Sequence, residues 1–353
     1  MCSAIFHLLT CYLLHFAIAI LQGVAAAQTN NSIPLESSIS PSMSPAWFSP
    51  SGRFAFGFYP DGGSDRDFYV GVWLLSSPGN ITVLWTQNRD NGPLHEDAVM
   101  KLTSSGLELQ QNDAADSFIP FLLADVSSAS IFDSGSFVIC DAYHVLWDWE
   151  SPGPLTDTIL SGHDLGSESE LVSSFSETNH SSGRFRLKMQ LDSNLVMYPV
   201  NTSDKRDDAY WSSDTAGKNI ARLNLNDHGR LSLYSNISQT PKFNLTSDNL
   251  RSGLFYRATL DFDGIFRLYS HDLVSNQTKV LASFPDESTD RCRIKGTCGI
   301  NSYCYLRHEL PVCNCLPGFV NIDVDVNSSG CKQTFSNNAC PSADEMKELR
   351  SVA

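Results

Sequence analysis

A chain of 353 residues, 42% of them apolar, carries material for two or three packed domains. Its 39 acidic against 24 basic residues give a net charge of −15, and no basic run stands out. That balance speaks against a nucleic-acid-binding protein.

The N-terminus is apolar from Ala4 to Leu21, broken by His7, Thr10 and His15, and ends in Val24-Ala25-Ala26-Ala27. Ala25-x-Ala27 fits a signal-peptidase site before Gln28, so residues 1–27 are expected to be a signal peptide. The first basic residue is Arg53, so the positive segment that usually precedes the apolar one is missing and a signal anchor stays open. No later window approaches the roughly 20 apolar residues of a membrane span. The mature chain is therefore expected to be secreted. Ten cysteines, seven of them within Cys292–Cys340, fit an oxidising compartment. So do N-x-S/T sequons at Asn30, Asn80, Asn179, Asn201, Asn236, Asn244, Asn276 and Asn327, which are the expected glycosylation sites.

A Ser/Pro-rich stretch precedes the turn Ser49-Pro50-Ser51-Gly52. Three aromatic and β-branched runs follow, from Arg53 to Phe58, Asp67 to Leu74 and Ile81 to Trp85. Gly, Pro and Asp separate them, and no helical period appears, so they read as strands. An internal repeat then runs through the chain: apolar strand, short turn with Gly, Asn or Asp, apolar strand. Its copies span residues 99–110, 131–140, 187–198, 223–234 and 259–269. Five such hairpins imply an all-β array. Trp85, Trp147 and Trp211 recur along it and read as core anchors, with sugar stacking as the alternative.

The third copy carries the densest chemistry. Alternate residues are Gln190, Asp192, Asn194, Val196 and Tyr198. A straight strand would spread them over roughly 26 Å, so the chain must reverse near Asp192-Ser193-Asn194, which favour turns. A reversal gathers two amides, a carboxylate and a phenol beside one apolar surface, a set suited to a ring bearing several hydroxyls. An ordinary hairpin accounts for the same residues. Aligned on the last Tyr, the fourth copy has Asn226, His228, Arg230, Ser232 and Tyr234, and the fifth Asp261, Asp263, Ile265, Arg267 and Tyr269. Only the third keeps the full set.

Gln190-x-Asp192-x-Asn194-x-Val196-x-Tyr198 resembles, at all five positions, the mannose-binding signature of the bulb-type lectins. The resemblance implies that Gln190, Asp192, Asn194 and Tyr198 hydrogen-bond sugar hydroxyls while Val196 packs on the carbon face. It also implies a β-prism of three four-stranded sheets. Trp47-Phe48-Ser49-Pro50-Ser51-Gly52, Phe54-Ala55-Phe56-Gly57-Phe58 and Trp85-Thr86-Gln87-Asn88-Arg89-Asp90 resemble the extracellular region of plant G-type lectin S-receptor-like serine/threonine kinases. The expected fold is thus all-β, with tandem bulb-type lectin β-prism (β-prism II) domains at residues 28–149 and 150–285. Strand exchange between the two prisms would shift that boundary.

Cys292, Cys298, Cys304, Cys313, Cys315 and Cys331 follow, and six cysteines permit fifteen pairings. The Cys-x-Cys pair, Leu316-Pro317-Gly318-Phe319 and a last Cys resemble a small disulfide-rich EGF-like module over residues 292–331. That resemblance implies Cys292–Cys304, Cys298–Cys313 and Cys315–Cys331. A module of about 40 residues buries too little apolar surface to stand unaided, so bridges would stabilise it. A zinc site fits an exported protein poorly, and Arg291 stands where calcium-binding EGF modules carry Glu or Gln. Cys140 reads as a buried thiol. Cys340 opens the 332–353 tail, which resembles the start of a truncated PAN-like region; a Cys140–Cys340 bond stays open.

No catalytic elbow, phosphate loop, zincin helix or dinucleotide fingerprint occurs, so no catalytic residue, metal or cofactor is expected. The expected function is a secreted lectin ectodomain in plant defence or recognition signalling. Its expected partners are mannose-containing glycans or glycoproteins, with receptor-like kinases and a homo-oligomer left open and no nucleic acid. The alternatives are a protein-interaction scaffold, co-receptor or decoy that no longer binds sugar, and a glycosidase using one of the many acidic pairs.

Overall fold

Along Ser182–Met189 and Leu195–Pro199, Phe185, Leu187, Met189, Leu195 and Met197 fall on one side of the ladder. Arg186, Lys188, Val196 and Tyr198 fall on the other. The same division recurs in the hairpin of Arg222–Leu225 with Leu231–Tyr234 and in that of Leu254–Leu260 with Phe266–Asp272. The apolar sides of all three hairpins meet in one buried cluster. Burial of these faces at about 25 cal/mol per Å² is the main force holding the element together.

The computed structural model describes residues 32–60, 66–77, 80–87, 89–111, 114–117, 125–141, 146–148, 155–236, 238–249, 251, 253–323 and 326–334. The chain divides into two compact units, Met1–Pro154 and Leu155–Ala353. In the second unit, each of the three hairpins is the central pair of a four-stranded antiparallel sheet. The short strands Thr158–Leu160, Asp164–Gly166 and Glu170–Ser174 run consecutively, and each adds an edge to a different sheet. Gln277–Phe284, Phe243–Asn244 and Trp211–Ser212 supply the opposite edges. Three sheets around one core make a β-prism.

The first unit is wired the same way. Ile33–Pro34, Ser38–Ile39 and Ala46–Phe48 edge three separate sheets, whose central pairs include the expected hairpins Val99–Thr103 with Gly106–Gln111 and Val126–Ile131 with Phe137–Asp141. The expected early strands appear as Phe54–Pro60, Asp67–Ser77 and Asn80–Thr86. Among the described residues each sheet draws its strands from one unit. Cys140 is half-buried in Phe137–Asp141, a correction to the expected buried thiol: Val138 on the same side is buried, but burial ends before the strand's last two residues.

The cysteine-rich stretch carries Cys292–Cys304, Cys298–Cys313 and Cys315–Cys331 bonds and two short hairpins. It shares the second prism's core. Ile294 is buried in the same apolar cluster as Phe185. A Cβ on Gly264 would sit 2.8 Å from the Phe185 ring and 3.0 Å from Ile294, so the three pack without room to spare. Arg184 donates to the carbonyls of Gly296 at 3.3 Å, Thr297 at 2.6 Å and Ser328, and burial lowers its pKa from the ordinary value. Among the described residues no helix is long and apolar enough to cross a membrane. The expected signal peptide, Asn30, Cys340 and the tail beyond residue 334 lie outside the described residues.

Candidate functional site

The chain reverses where the turn residues predict. Gln190 N donates to Asn194 O at 2.9 Å and Ser193 N to Gln190 O at 3.1 Å. Ser193 sits at φ 80°, the left-handed conformation that closes the turn. Asp192 Oδ1 accepts from Asn194 N at 2.9 Å, which fixes the carboxylate over its own turn. Asn194 Oδ1 accepts from Thr215 N at 3.1 Å and Ser213 Oγ at 3.2 Å. That pair orients the amide and leaves its Nδ2 without a hydrogen bond among the described residues.

Four strand positions complete the face. Arg186 stands opposite Tyr198, and Lys188 opposite Val196. The Arg186 guanidinium lies 4.7 Å from the Tyr198 ring centroid. Gln190 Nε2 donates to Tyr198 Oη at 3.0 Å, so the first and last residues of the signature meet. Asp192 is exposed, Gln190 and Asn194 are half-buried, but Val196 and Tyr198 are only 2% and 1% exposed.

The cover comes from residues outside the signature. The loop after Tyr198 brings Asp204 back over the sheet. Its main-chain oxygen accepts from Tyr198 Oη at 3.0 Å and from Gln190 Nε2 at 3.3 Å. Its carboxylate takes Arg186 Nη1 at 2.7 Å and Lys188 Nζ at 2.9 Å. Hydrogen bonds from Lys188 and Arg186 hold the Asp204 carboxyl below its ordinary pKa; Asp204 in turn raises that of Lys188. Burial raises the Tyr198 phenol, so it acts as a neutral donor. The site is therefore open at Asp192 and Asn194 and closed at Tyr198, where the sequence suggests solvent-facing hydroxyl contacts throughout. Replacing Tyr198 by Phe removes both phenol hydrogen bonds. The expected cost is about 1 kcal/mol, read as a drop of a few degrees in the thermal midpoint of the second unit. An unchanged midpoint would show that those bonds do not hold in solution.

The other two hairpins show how the signature is lost. Arg267 lies among Asp261 at 2.7 Å, Asp263 at 2.8 Å and Glu287 at 2.6 Å, filling its own face. Tyr269 Oη donates to Asp261 at 2.6 Å. Arg230 and Asn226 both bind Asp248, at 2.9 and 3.1 Å. One feature persists: Arg222 lies 4.9 Å from the Tyr234 ring and Arg257 3.9 Å from Tyr269. In all three hairpins the arginine precedes the tyrosine by the same interval, a spacing that could have revealed the threefold repeat. Lys188 has no cationic counterpart, since Asn224 and Thr259 occupy that place. Of the sequons, Asn201, Asn236, Asn244 and Asn276 are exposed and Asn179 is half-buried.

A family model described as S-locus glycoprotein domain matches residues 231–322, from the strand Leu231–Tyr234 through the last hairpin and into the cysteine module. The G-type lectin S-receptor-like serine/threonine-protein kinase LECRK1 of Oryza sativa subsp. indica is 31% identical over 89% of this chain, and LECRK4 of the same source 30% identical over 97%. The chain spans 41% and 44% of the length of those relatives. Among solved structures, a monomeric monocot mannose-binding lectin from Gastrodia elata is 24% identical over 38% of this chain and 98% of its own, with a TM-score of 0.28. A two-domain fetuin-binding agglutinin from Scilla campanulata is 19% identical over 65% of this chain and 86% of its own, with a TM-score of 0.24. These scores are low, and the prism architecture stands on the ladders described above. Over 89% of its length the chain is similar to the G-type lectin S-receptor-like serine/threonine-protein kinases, and residues 231–322 match the S-locus glycoprotein domain.

Proposed function

We propose that this chain is a carbohydrate-binding protein of the mannose-type lectin class, secreted and glycosylated, with glycans entering at the Gln190–Tyr198 face. Its place would be recognition signalling in plant defence, beside receptor-like kinases, with the cysteine module serving as an EGF-like support. The observation that carries this reading is the set of polar groups left at the open rim. Asp192 is exposed, and Gln190 Oε1 and Asn194 Nδ2 make no hydrogen bond among the described residues. An acceptor pair and an amide donor around one turn suit vicinal hydroxyls. Each exchanged hydrogen bond contributes about 1 kcal/mol net, so a monosaccharide would bind at about 1 mM or more weakly. Useful affinity would come from longer glycans or several sites engaged together.

A test is the double variant Asp192→Ala, Asn194→Ala on a high-mannose glycan array. The expected result is loss of signal with the fold retained by near-ultraviolet circular dichroism. Unchanged binding by the folded variant would sink the assignment. A second reading, a protein-interaction scaffold, is favoured by the closure at Asp204 and by the self-filled faces at Arg230 and Arg267. It predicts a pull-down specific for one receptor ectodomain and insensitive to excess mannose.

A further inference from the structure

Asp204 presents two kinds of oxygen to four groups of the site. Its carboxylate meets Arg186 at 2.7 Å and Lys188 at 2.9 Å, and its carbonyl meets Tyr198 at 3.0 Å and Gln190 at 3.3 Å. A carboxylate and a neutral oxygen on one small scaffold are also what a uronic acid offers. We propose, resting on the glycan reading above, that this face takes saccharides containing a hexuronic acid. The uronate carboxylate would replace that of Asp204 on Arg186 and Lys188, while ring hydroxyls take the place of its carbonyl at Gln190 and Tyr198.

Three observations support the exchange. First, among the three hairpins of this unit, a cation two residues after the arginine, on the same strand, occurs only in the one that keeps the full signature; Arg267 in the fifth copy stands on the other strand and is filled by its own acids. All three hairpins set an arginine over a tyrosine, so that contact belongs to the scaffold. At the position of Lys188, Asn224 and Thr259 stand in the other two. Both cations are largely covered, at 10% and 15% side-chain exposure, and a planar guanidinium beside an ammonium is a carboxylate-binding arrangement.

Second, the residue that occupies the pair comes from an exposed loop rather than from the sheet. Asp204 lies outside the ladders, in a run where residues 203–207 are all exposed, and its own side chain is 42% exposed. Asp204 is the exposed partner of the pair and is screened by salt, but it is tethered, so a ligand carboxylate must displace an intramolecular competitor and Asp204 holds wild-type affinity down. The run is held at its near side by Arg186 Nη2 donating to Thr202 O at 2.9 Å, within by Ser203 Oγ donating to Asp208, and at its far side by Lys295 Nζ donating to Asp207 O.

Third, the remaining acids flank the pair rather than fill it. Glu170 reaches Arg186 at 3.3 Å and Glu168 reaches Lys188 at 3.5 Å, both farther than Asp204 and both at least 40% exposed. Asp192 lies at the opposite, open end of the face. A uronate would therefore lie with its carboxylate toward Arg186 and Lys188 and its hydroxyls toward Asp192 and Asn194, a polarity that separates like charges.

The test is calorimetric titration of the full chain with trigalacturonate, its methyl ester, mannotriose and a sulfated trisaccharide. It is run on the wild type, Asp204→Asn and Lys188→Gln, each checked for fold by near-ultraviolet circular dichroism. The expected result is trigalacturonate bound roughly tenfold more tightly than its ester. Asp204→Asn should raise trigalacturonate affinity by about tenfold and mannotriose affinity by less, because the competing carboxylate is gone. Lys188→Gln should erase the preference for acid over ester; if it fails to fold, Lys188→Arg should retain that preference. Equal binding of acid and ester, no gain in Asp204→Asn, or equal binding of the sulfated trisaccharide would overturn the proposal. Mannotriose binding without any preference for trigalacturonate overturns this inference alone. Failure of every saccharide on every folded variant overturns the glycan reading with it.

Discussion

Phe185→Ala is expected to destabilise the second unit by about 3–5 kcal/mol, among the larger effects a single core truncation has. The ring is fully enclosed and belongs to the apolar cluster shared by the three sheets. It also stands at the junction with the cysteine module. One edge faces Tyr210, with centroids 5.9 Å apart and planes at 82°, and Tyr210 Oη donates to Gly264 O at 2.9 Å. The other edge meets Gly264, Gly296 and Ile294. Truncation would leave a cavity walled by sheet on one side and by disulfide-bonded loop on the other, and neither wall can collapse inward without breaking a ladder or straining a bridge. The cavity should therefore persist, placing the cost at the upper end of the range. Two measurements check this. The urea midpoint should fall with little change in slope, and amides of Leu187 and Met197 should exchange faster, together with those of Thr297 and Gly299. Exchange that rises in the sheet but not in residues 294–299 would mean that the two parts do not share a core.

The hairpins were legible in the sequence because their signals are local. Ser104-Ser105-Gly106, Asp192-Ser193-Asn194 and Asp261-Phe262-Asp263-Gly264 are turn formers flanked by alternating apolar residues, and each became a hairpin in register. Closure of three hairpins around one core is not local, and only resemblance implied it. At the site, the reversal at Asp192 and the meeting of Gln190 with Tyr198 followed from turn chemistry. The cover did not, because Asp204 lies in a polar run with no period, and what it touches depends on where the sheet places Arg186 and Lys188. The shared core of the prism and the cysteine module was hidden for a similar reason. Cysteine spacing pointed to a module stabilised by its own bridges, and nothing in Arg293-Ile294-Lys295 marks Ile294 as a residue of another element's core. Cys140 shows the limit of pattern at a strand end: an apolar neighbourhood in sequence does not fix how far burial extends along the strand.

Acidification should cost the second unit stability through His271, by about 3 kcal/mol between neutral pH and about pH 4. The imidazole is 4% exposed. Arg257 Nε donates to His271 Nε2 at 3.0 Å, so that nitrogen must be an acceptor. The proton then resides on Nδ1, which faces Thr278 Oγ1 at 2.9 Å. Protonating Nε2 would set two donors against each other beside a guanidinium that itself lies over Tyr269. Burial first, and the Arg257 charge second, push the His271 pKa from 6.5 down to about 3. The unfolded chain thus takes up the proton as pH falls through about 6.5, while the folded chain does so only near 3. Between those values the unfolded state binds more protons, and stability is lost as pH falls. Asp204 and Glu287, held below their ordinary values chiefly by hydrogen bonds from Lys188 and Arg267, act in the same direction near the bottom of that window; Asp261, raised by burial, acts against it. His271→Asn separates the terms: it keeps an acceptor for Arg257 and titrates nowhere in the range. Urea midpoints followed from pH 7 downward should fall steeply for the wild type and more gently for the variant, the two curves converging as acid removes the wild-type advantage. Parallel curves would mean that the imidazole takes up its proton over the same pH range folded and unfolded, and the Arg257–His271 hydrogen bond could not then hold it neutral in the sense described.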